Sequence, residues 1–325
     1  MKSVLITGCN GYIGKVLAKH VKKKYPECIV IGVDHDTNRR ANKYVDFLHY
    51  CDVQDESFLA SCKTYEVENV FHLAALANVP DSFRAPASYY FYNSAQTISL
   101  FHNLLRSGWR GKFVFSSTAG VYGKTSELIN EEHPLAPPHP YGRSKLIAES
   151  VLEELSHAYH IPTCVFRYFN VVGADEDCGD HLDSSHVLQK LCHAAYYDEP
   201  FNVYGTDLAE TPDGTCTRDY IDVHDICEAH MLAVETPLPS IHNTYNLGTS
   251  NGVSVKKLKE VFEKVTGKTI VVHAQPSRPG DPPHLVADGS LFAKEMNFSY
   301  NDHLEGIIES AWNYYQQKAG EKDAV

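Results

Sequence analysis

Short apolar runs alternate along this chain with segments whose apolar residues recur every three or four positions. VLIT, residues 4–7, precedes the helical pattern YIGKVLAKHVKKK; CIVIGVD, residues 28–34, precedes SFLASCKTY; NVFHLAA then follows. Strands covered on both faces read as continuous apolar runs, so this rhythm predicts a parallel sheet with crossover helices. It continues through a long helical stretch from about Ala87 to Arg106, the strand KFVFSS, the helix SKLIAESVLEELSHAYH and the strand TCVFRYFN. The expected fold class is α/β: a Rossmann-type doubly wound parallel sheet over residues 1–173 that binds a dinucleotide.

After Val172 the texture changes to GADEDCGDHLDSS, and prolines recur at Pro200, Pro212, Pro276, Pro279, Pro282 and Pro283. Residues 174–325 are therefore expected to form a smaller, mixed C-terminal substrate domain. NTYNLG, residues 243–248, again has the texture of a buried strand and is expected to return to the first sheet.

Composition narrows the functional classes. With 43% hydrophobic and 22% charged residues and no low-complexity tract, the chain should fold throughout, with disorder expected only near the terminal GEKDAV. A net charge of -12 argues against nucleic acid or an anionic membrane as a partner. No apolar run approaches ~18 residues, and VLIT begins too early for a secretory signal to precede it. Nine cysteines, an odd number without a C-x-x-C pair, predict reduced thiols and a cytoplasmic setting. His181, His186 and His193 lack any zinc-ligand spacing, so no metal site is expected.

The first strand runs into TGCNGYIG, with Gly8, Gly11 and Gly14 spaced three apart, and a helix beginning near Tyr12. Glycines there permit a tight turn and bring backbone N–H groups to a pyrophosphate at a helix N-terminus. Asp34 ends the second strand, where a carboxylate accepts hydrogen bonds from a ribose 2'-hydroxyl and repels a 2'-phosphate. NAD is the expected cofactor, although Arg39 and Arg40 lie close by. Asn10, Tyr12 and Ile13 in the turn join the expected cofactor contacts. So do Asp52 and Val53 ending the third apolar run, Leu73, Ala74 and Ala75 ending the fourth, Asn93, Ser116, Ser117 and Tyr168.

In HPYGRSKLIAES, Pro140 suits a helix entry and Tyr141 and Lys145 fall one turn apart on one face. Such a pair is common on exposed helices, where it has no chemical role. As a base, a tyrosine of pKa ~10 must be brought to ~7, which takes about 4 kcal/mol of preferential phenolate stabilisation. A lysine ammonium and a cationic nicotinamide are expected to supply it. FVFSSTAGVYG adds Ser116, Ser117 and Thr118 at the carboxyl end of the fifth strand, where a hydroxyl can hold a substrate oxygen against the tyrosine.

These motifs, in this order, resemble the extended branch of the short-chain dehydrogenase/reductase family over nearly the whole chain. YFNVVGA at 168–174, TPDGTCTRDYIDVHD at 211–225, YNLGTSNGVSV at 245–255 and RPGDPPHLVAD at 278–288 resemble the nucleotide-sugar 4-epimerases, and among them the UDP-glucose (UDP-galactose) 4-epimerases. The resemblance implies that Thr118, Tyr141 and Lys145 are catalytic, the latter two also touching NAD. It implies that Asn170, Arg218 and Arg278 hold a nucleotide diphosphate, with Thr118, Tyr141, Ser185, His186, Val203, Tyr204 and Asp281 completing the UDP-sugar site. Guanidinium forks match diphosphate oxygens, which agrees. The implied reaction removes the 4'-hydroxyl proton with Tyr141, moves hydride from C4' to retained NAD, and returns it to the other face of the turned 4-keto sugar. A homodimer is implied too.

Three positions depart from the family pattern. The lysine usual after the fourth strand is missing from Ala75, Leu76, Ala77, Asn78 and Val79; Ser184, Ser185 and His186 replace an asparagine pair; and Leu285 stands where an aromatic is frequent. The last predicts a wider sugar pocket that tolerates N-acetylated sugars. A nucleotide-sugar 4,6-dehydratase or decarboxylase of the same fold is the alternative, but it needs an acid or base beside Thr118, where Ala119 and Gly120 stand. A non-catalytic NAD-binding sensor is a second alternative.

Overall fold

The computed structural model describes residues 1–35, 37, 41–211, 213–277 and 282–323. In chain order the first elements are β1 (Ser3–Thr7), α1 (Tyr12–Lys24), β2 (Ile29–Asp34), β3 (Phe47–Tyr50), α2 (Glu56–Thr64) and β4 (Asn69–His72). They continue with α3 (Val79–Arg84), α4 (Pro86–Tyr89), α5 (Gln96–Arg106), β5 (Lys112–Thr118), α6 (Pro140–Tyr159) and β6 (Thr163–Tyr168). Next come β7 (Asn170–Val172), α7 (Val187–Tyr197), β8 (Phe201–Tyr204), β9 (Thr217–Asp222), α8 (Val223–Glu235) and β10 (His242–Leu247). The last are β11 (Gly252–Ser254), α9 (Val255–Thr266), β12 (Val272–Gln275), β13 (His284–Leu285), α10 (Ser290–Met296) and α11 (Leu304–Asp323).

Two compact units result, the first made of Met1–Gly123, Pro134–Tyr168 and Cys227–Tyr245, the second of Lys124–His133, Phe169–Ile226 and Asn246–Val325. They interleave along the chain. A seven-stranded sheet runs in the order β10-β6-β5-β4-β1-β2-β3. Its pairings from β6 to β3 are all parallel. The order reverses direction between β1 and β4, the place where such sheets open a ligand crevice at their carboxyl ends. Leu5, Ile31, Val70, Phe113 and Val165 carry one face of the sheet into a cluster with Phe58, Leu100, Phe101 and Leu152.

The stretch expected as one helix from Ala87 to Arg106 contains a π turn at Tyr90–Ala95 between α4 and α5. The wider turn adds a residue without changing the apolar period enough to be read from sequence. It buries Asn93 and Ser94, both of which bond to α6.

The second unit holds a mixed sheet in which β9 pairs antiparallel with β11 and parallel with β13 and β7. A two-stranded parallel pair, β8 with β12, stands apart from it. Leu191, Leu258, Phe262, Ile308, Trp312 and Tyr315 pack α7, α9 and α11 into its core. The expected disorder at GEKDAV is corrected for most of its length: α11 runs on through Gly320 to Asp323. Among the described residues no helix is long and apolar enough to cross a membrane.

Candidate active site

The glycine turn is built as its spacing predicts. Gly8 has φ +67, and Gly11 N–H donates to the Gly8 carbonyl at 3.0 Å. A Cβ on Gly14 would lie 2.2 Å from that carbonyl, so only glycine lets α1 pack so closely. No side chain caps α1, and its first turn carries no acid, which leaves its N–H groups and positive dipole end for an anion. Asp34 is buried and its Oδ2 accepts from Asn10 N at 2.9 Å. Asn10 Oδ1 accepts from Asn42 N at 3.0 Å, whereas the buried Asn10 Nδ2 has no partner among the described residues. An unsatisfied donor beside a glycine cradle and an acidic strand end fits a dinucleotide. Arg39 and Arg40 lie outside the described residues.

At the end of β4, the Thr7 hydroxyl accepts from Leu73 N at 3.1 Å and Ala74 N at 3.0 Å, and meets His72 Nδ1 at 2.7 Å. His72 Nε2 lies 2.8 Å from Thr97 Oγ1, which donates to the Asn93 carbonyl at 2.8 Å. Thr97 having spent its proton, His72 carries its own on Nε2 and accepts at Nδ1. Burial holds His72 down at about 3, with Lys145 adding to the effect, so the ring is neutral. Asn93 ties the loop to α6: its Oδ1 accepts from Leu76 N at 2.8 Å and its Nδ2 donates to Ser144 Oγ at 3.0 Å. Ala77, where the family's lysine is missing, is exposed.

Helix α6 starts on Pro140, with His139 Nδ1 accepting from Gly142 N at 2.9 Å and the His139 ring stacked on Tyr141 at 5.9 Å. Tyr141 is half-buried and its phenol is hydrogen-bonded with Thr118. Thr118 Oγ1 also accepts from Gly120 N at 3.0 Å. Lys145 is 1% exposed, donates from Nζ to the Ser116 carbonyl at 2.7 Å, and lies 4.7 Å over the Phe115 ring. Thr118, Tyr141, Lys145 and Ser116 are thus brought together at the end of β5.

Among the protein's own groups burial dominates and raises Tyr141 above the ordinary phenol, with only the Thr118 hydrogen bond opposing. Lys145 is itself pushed down to about 7 by burial, with Glu149 acting against that. A buried ammonium suffers the same desolvation as a buried phenolate, so the spacing alone could not give the sign.

Three of the expected contact residues turn their side chains into the interior. Ser117 is buried with its hydroxyl on Glu149, so its side chain is committed to the interior. Val53 lies beyond β3, which stops at Tyr50, and its side chain packs in the apolar core, as does that of Val203 in the second unit. Asp52 also lies past the strand end, its carbonyl accepting from Asp55 N at 3.0 Å. Tyr168 closes β6 with its hydroxyl 2.8 Å from His230 Nε2 and in reach of the Ser116 hydroxyl.

In the second unit Asn170 opens β7 opposite Tyr220, and Arg218 is the second residue of β9, with Nη1 on the Thr217 carbonyl at 2.9 Å. His284 is a neighbour that spacing did not reveal: it pairs across from Thr217, Arg218 lowers its pKa further after burial, and its buried Nδ1 has no partner among the described residues. Leu285 pairs across from Arg218. Ser185 is exposed, Tyr204 closes β8, and His186 Nδ1 meets Asp180 Oδ2 at 2.7 Å, which raises His186 and lowers Asp180 despite burial. Arg278 and Asp281 lie outside the described residues. Among those described, no His, Cys, Asp and Glu side chains are grouped to hold a metal.

A UDP-glucose 4-epimerase of Azospirillum brasilense is 34% identical over 336 residues, covering 99% of this chain and 95% of its own. The crystal structure of UDP-glucose-4-epimerase from Stenotrophomonas maltophila, with bound NAD and formylated UDP-arabinopyranose, superposes with a TM-score of 0.92 at 29% identity, covering 99% of this chain and 100% of that one. A UDP-Glc/GlcNAc 4-epimerase from Campylobacter jejuni superposes with a TM-score of 0.80 at 31% identity, covering 98% and 100%. Residues 4–248 match the model of the NAD dependent epimerase/dehydratase family, and the chain belongs to it.

Proposed function

We propose that this chain is an NAD-dependent 4-epimerase of UDP-hexoses, inverting C4' through a transient 4-keto sugar. The observation that carries the reading is the meeting of Thr118, Tyr141 and Lys145 at the end of β5, in a chain alike over its whole length to UDP-glucose 4-epimerases. NAD, when bound, supplies reversible two-electron acceptance at C4', so that the sugar is oxidised and then reduced with no net redox change. The glycine turn would hold its pyrophosphate and Asp34 its ribose. Tyr141, as phenolate, takes the 4'-hydroxyl proton onto its phenol oxygen and later gives it back, while the Thr118 hydroxyl holds O4' in line. Lys145 supplies the positive charge that a buried phenolate lacks. Asn170, Arg218, Arg278 and Asp281 are proposed to hold the nucleotide diphosphate.

Gly120 adds a reason why no acid stands beside Thr118. A Cβ on Gly142 would lie 2.0 Å from the Gly120 carbonyl, and one on Gly120 would lie 2.8 Å from His139 Cε1. An acid at 120 would displace the His139 ring that caps α6, which supports epimerisation.

Leu285 in place of an aromatic supports activity on N-acetylated sugars also. Exposed Phe83, Phe91 and Ile147 support a homodimer, and nine thiols without a disulfide support a cytoplasmic location. The test is to incubate the purified protein with UDP-galactose, without added NAD, and follow the sugar by NMR. UDP-glucose without stoichiometric NADH is the expected product; a 4-keto-6-deoxy sugar would instead make the chain a dehydratase.

A further inference from the structure

Behind the catalytic group lies a buried ionic cluster that the mechanism above does not use. Glu149 is 5% exposed and stands one helical turn beyond Lys145 on α6. Its Oε1 accepts from the Ser117 hydroxyl, and Arg167 forks onto it, Nη2 to Oε2 at 2.7 Å and Nε to Oε2 and Oε1 at 3.2 and 3.3 Å. Arg167 Nη1 donates to Tyr122 Oη at 2.8 Å, and the guanidinium lies 5.0 Å over the Tyr122 ring.

We propose that Glu149, clamped by Ser117 and Arg167, is a positioning residue that keeps the buried Lys145 ammonium protonated at the pH where Tyr141 works. The proposal rests on the epimerase reading for its purpose, but the ionisation it concerns is a property of the protein alone. The groups facing Lys145 leave Glu149 as the source of negative charge. From β5 come a neutral carbonyl, that of Ser116, and the Phe115 ring. From β4 comes His72, a neutral imidazole that feels the lysine's charge. On α6 itself stand Tyr141, whose pKa burial raises, and Glu149. From β6 come Arg167, whose charge is directed to Glu149 and Tyr122, and Tyr168, which burial also holds neutral.

Burial brings Lys145 to about 7 with Glu149 already opposing it, so the ammonium has no reserve at neutral pH. A purely structural Glu149–Arg167 pair could be exchanged for apolar residues of similar volume at little cost. Fixing the carboxylate with three donors also keeps it from folding toward Lys145 and taking its proton.

The experiment follows Lys145 directly, by the 13Cε chemical shift of labelled lysine against pH, in the parent and in Glu149→Gln, together with the pH profile of kcat/KM. The Lys145 midpoint should fall by about one pH unit, and the alkaline limb of kcat/KM should move with it, a loss of about tenfold above both midpoints and little loss below. An unchanged midpoint in folded Glu149→Gln, or a kcat/KM lowered equally at every pH, would overturn the proposal. Because Glu149→Gln strands a buried guanidinium, Glu149→Gln with Arg167→Gln provides a neutral pair; a Lys145 midpoint at the parent's value there overturns it equally. A parent protein without epimerase activity would sink the epimerase reading, while the lysine titration would still decide the role of Glu149.

Discussion

Substituting Gly142 by alanine separates two contributions that ordinarily act together. Gly142 lies in the first turn of α6, and on helix propensity alone alanine there stabilises by about 0.5–1 kcal/mol. The structure gives the opposite sign. The new Cβ would sit 2.0 Å from the Gly120 oxygen and 2.8 Å from its carbonyl carbon, both backbone atoms that no rotamer change can move. Reaching ordinary contact near ~3.5 Å requires the helix start and the turn after β5 to part by more than about 1 Å. Overpacking of this kind costs about 1–3 kcal/mol, which exceeds the propensity gain. The functional loss is larger, because Tyr141 rides on one side of that contact and Thr118 on the other. A misplacement of about 1 Å in a reacting group costs about 10²-fold in rate. Thermal denaturation and kcat with saturating UDP-galactose, measured on the same preparation, check both. A variant that melts at or above the parent, with kcat within about twofold, would refute the reasoning.

Tyr141→Phe removes the proposed base while keeping the ring stacked on His139; kcat should fall by about 10²–10⁴-fold with an unchanged far-UV spectrum and melting temperature. A kcat within tenfold of the parent would exclude Tyr141 as the base. His72 is held neutral, so its imidazole 1H resonance should not titrate between pH 8 and 5; a midpoint near the ordinary 6.5 would contradict the buried chain from Thr7 to Asn93. Its folded pKa being depressed, the stability it contributes is fully present above pH 6.5 and is lost as pH falls toward about 3. That loss amounts to about 2 kcal/mol by pH 5. Leu285→Tyr should lower activity on UDP-N-acetylglucosamine relative to UDP-glucose, read as the ratio of the two kcat/KM values; an unchanged ratio would remove Leu285 from specificity.

The sheet, the glycine turn and the Tyr141–Lys145 pair were legible because each is a local pattern: a buried run, a spacing of three, a spacing of four. What was illegible depends on registers between strands and helices far apart in sequence. Glu149 meets Arg167 only because β6 lies beside β5 in the sheet and α6 crosses between them, and a lone Glu in a helix pattern does not announce a buried partner. The π turn was hidden for a related reason, since one inserted residue turns Asn93 inward without breaking the amphipathic pattern. Two side-chain directions, by contrast, were open to reading in the sequence. Side chains alternate faces along a strand, so Ser116, Ser117 and Thr118 could not all point into one crevice. Thr118 meets Tyr141, so Ser117 must point the other way, where it finds Glu149. In FNVY the same alternation pairs Val203 with Phe201 and sends both into the core, leaving Tyr204 at the strand end. A polar triplet at the end of a parallel strand therefore serves two sides at once. In β5, Thr118 serves the chemistry, while Ser117 anchors the carboxylate one helical turn from the lysine.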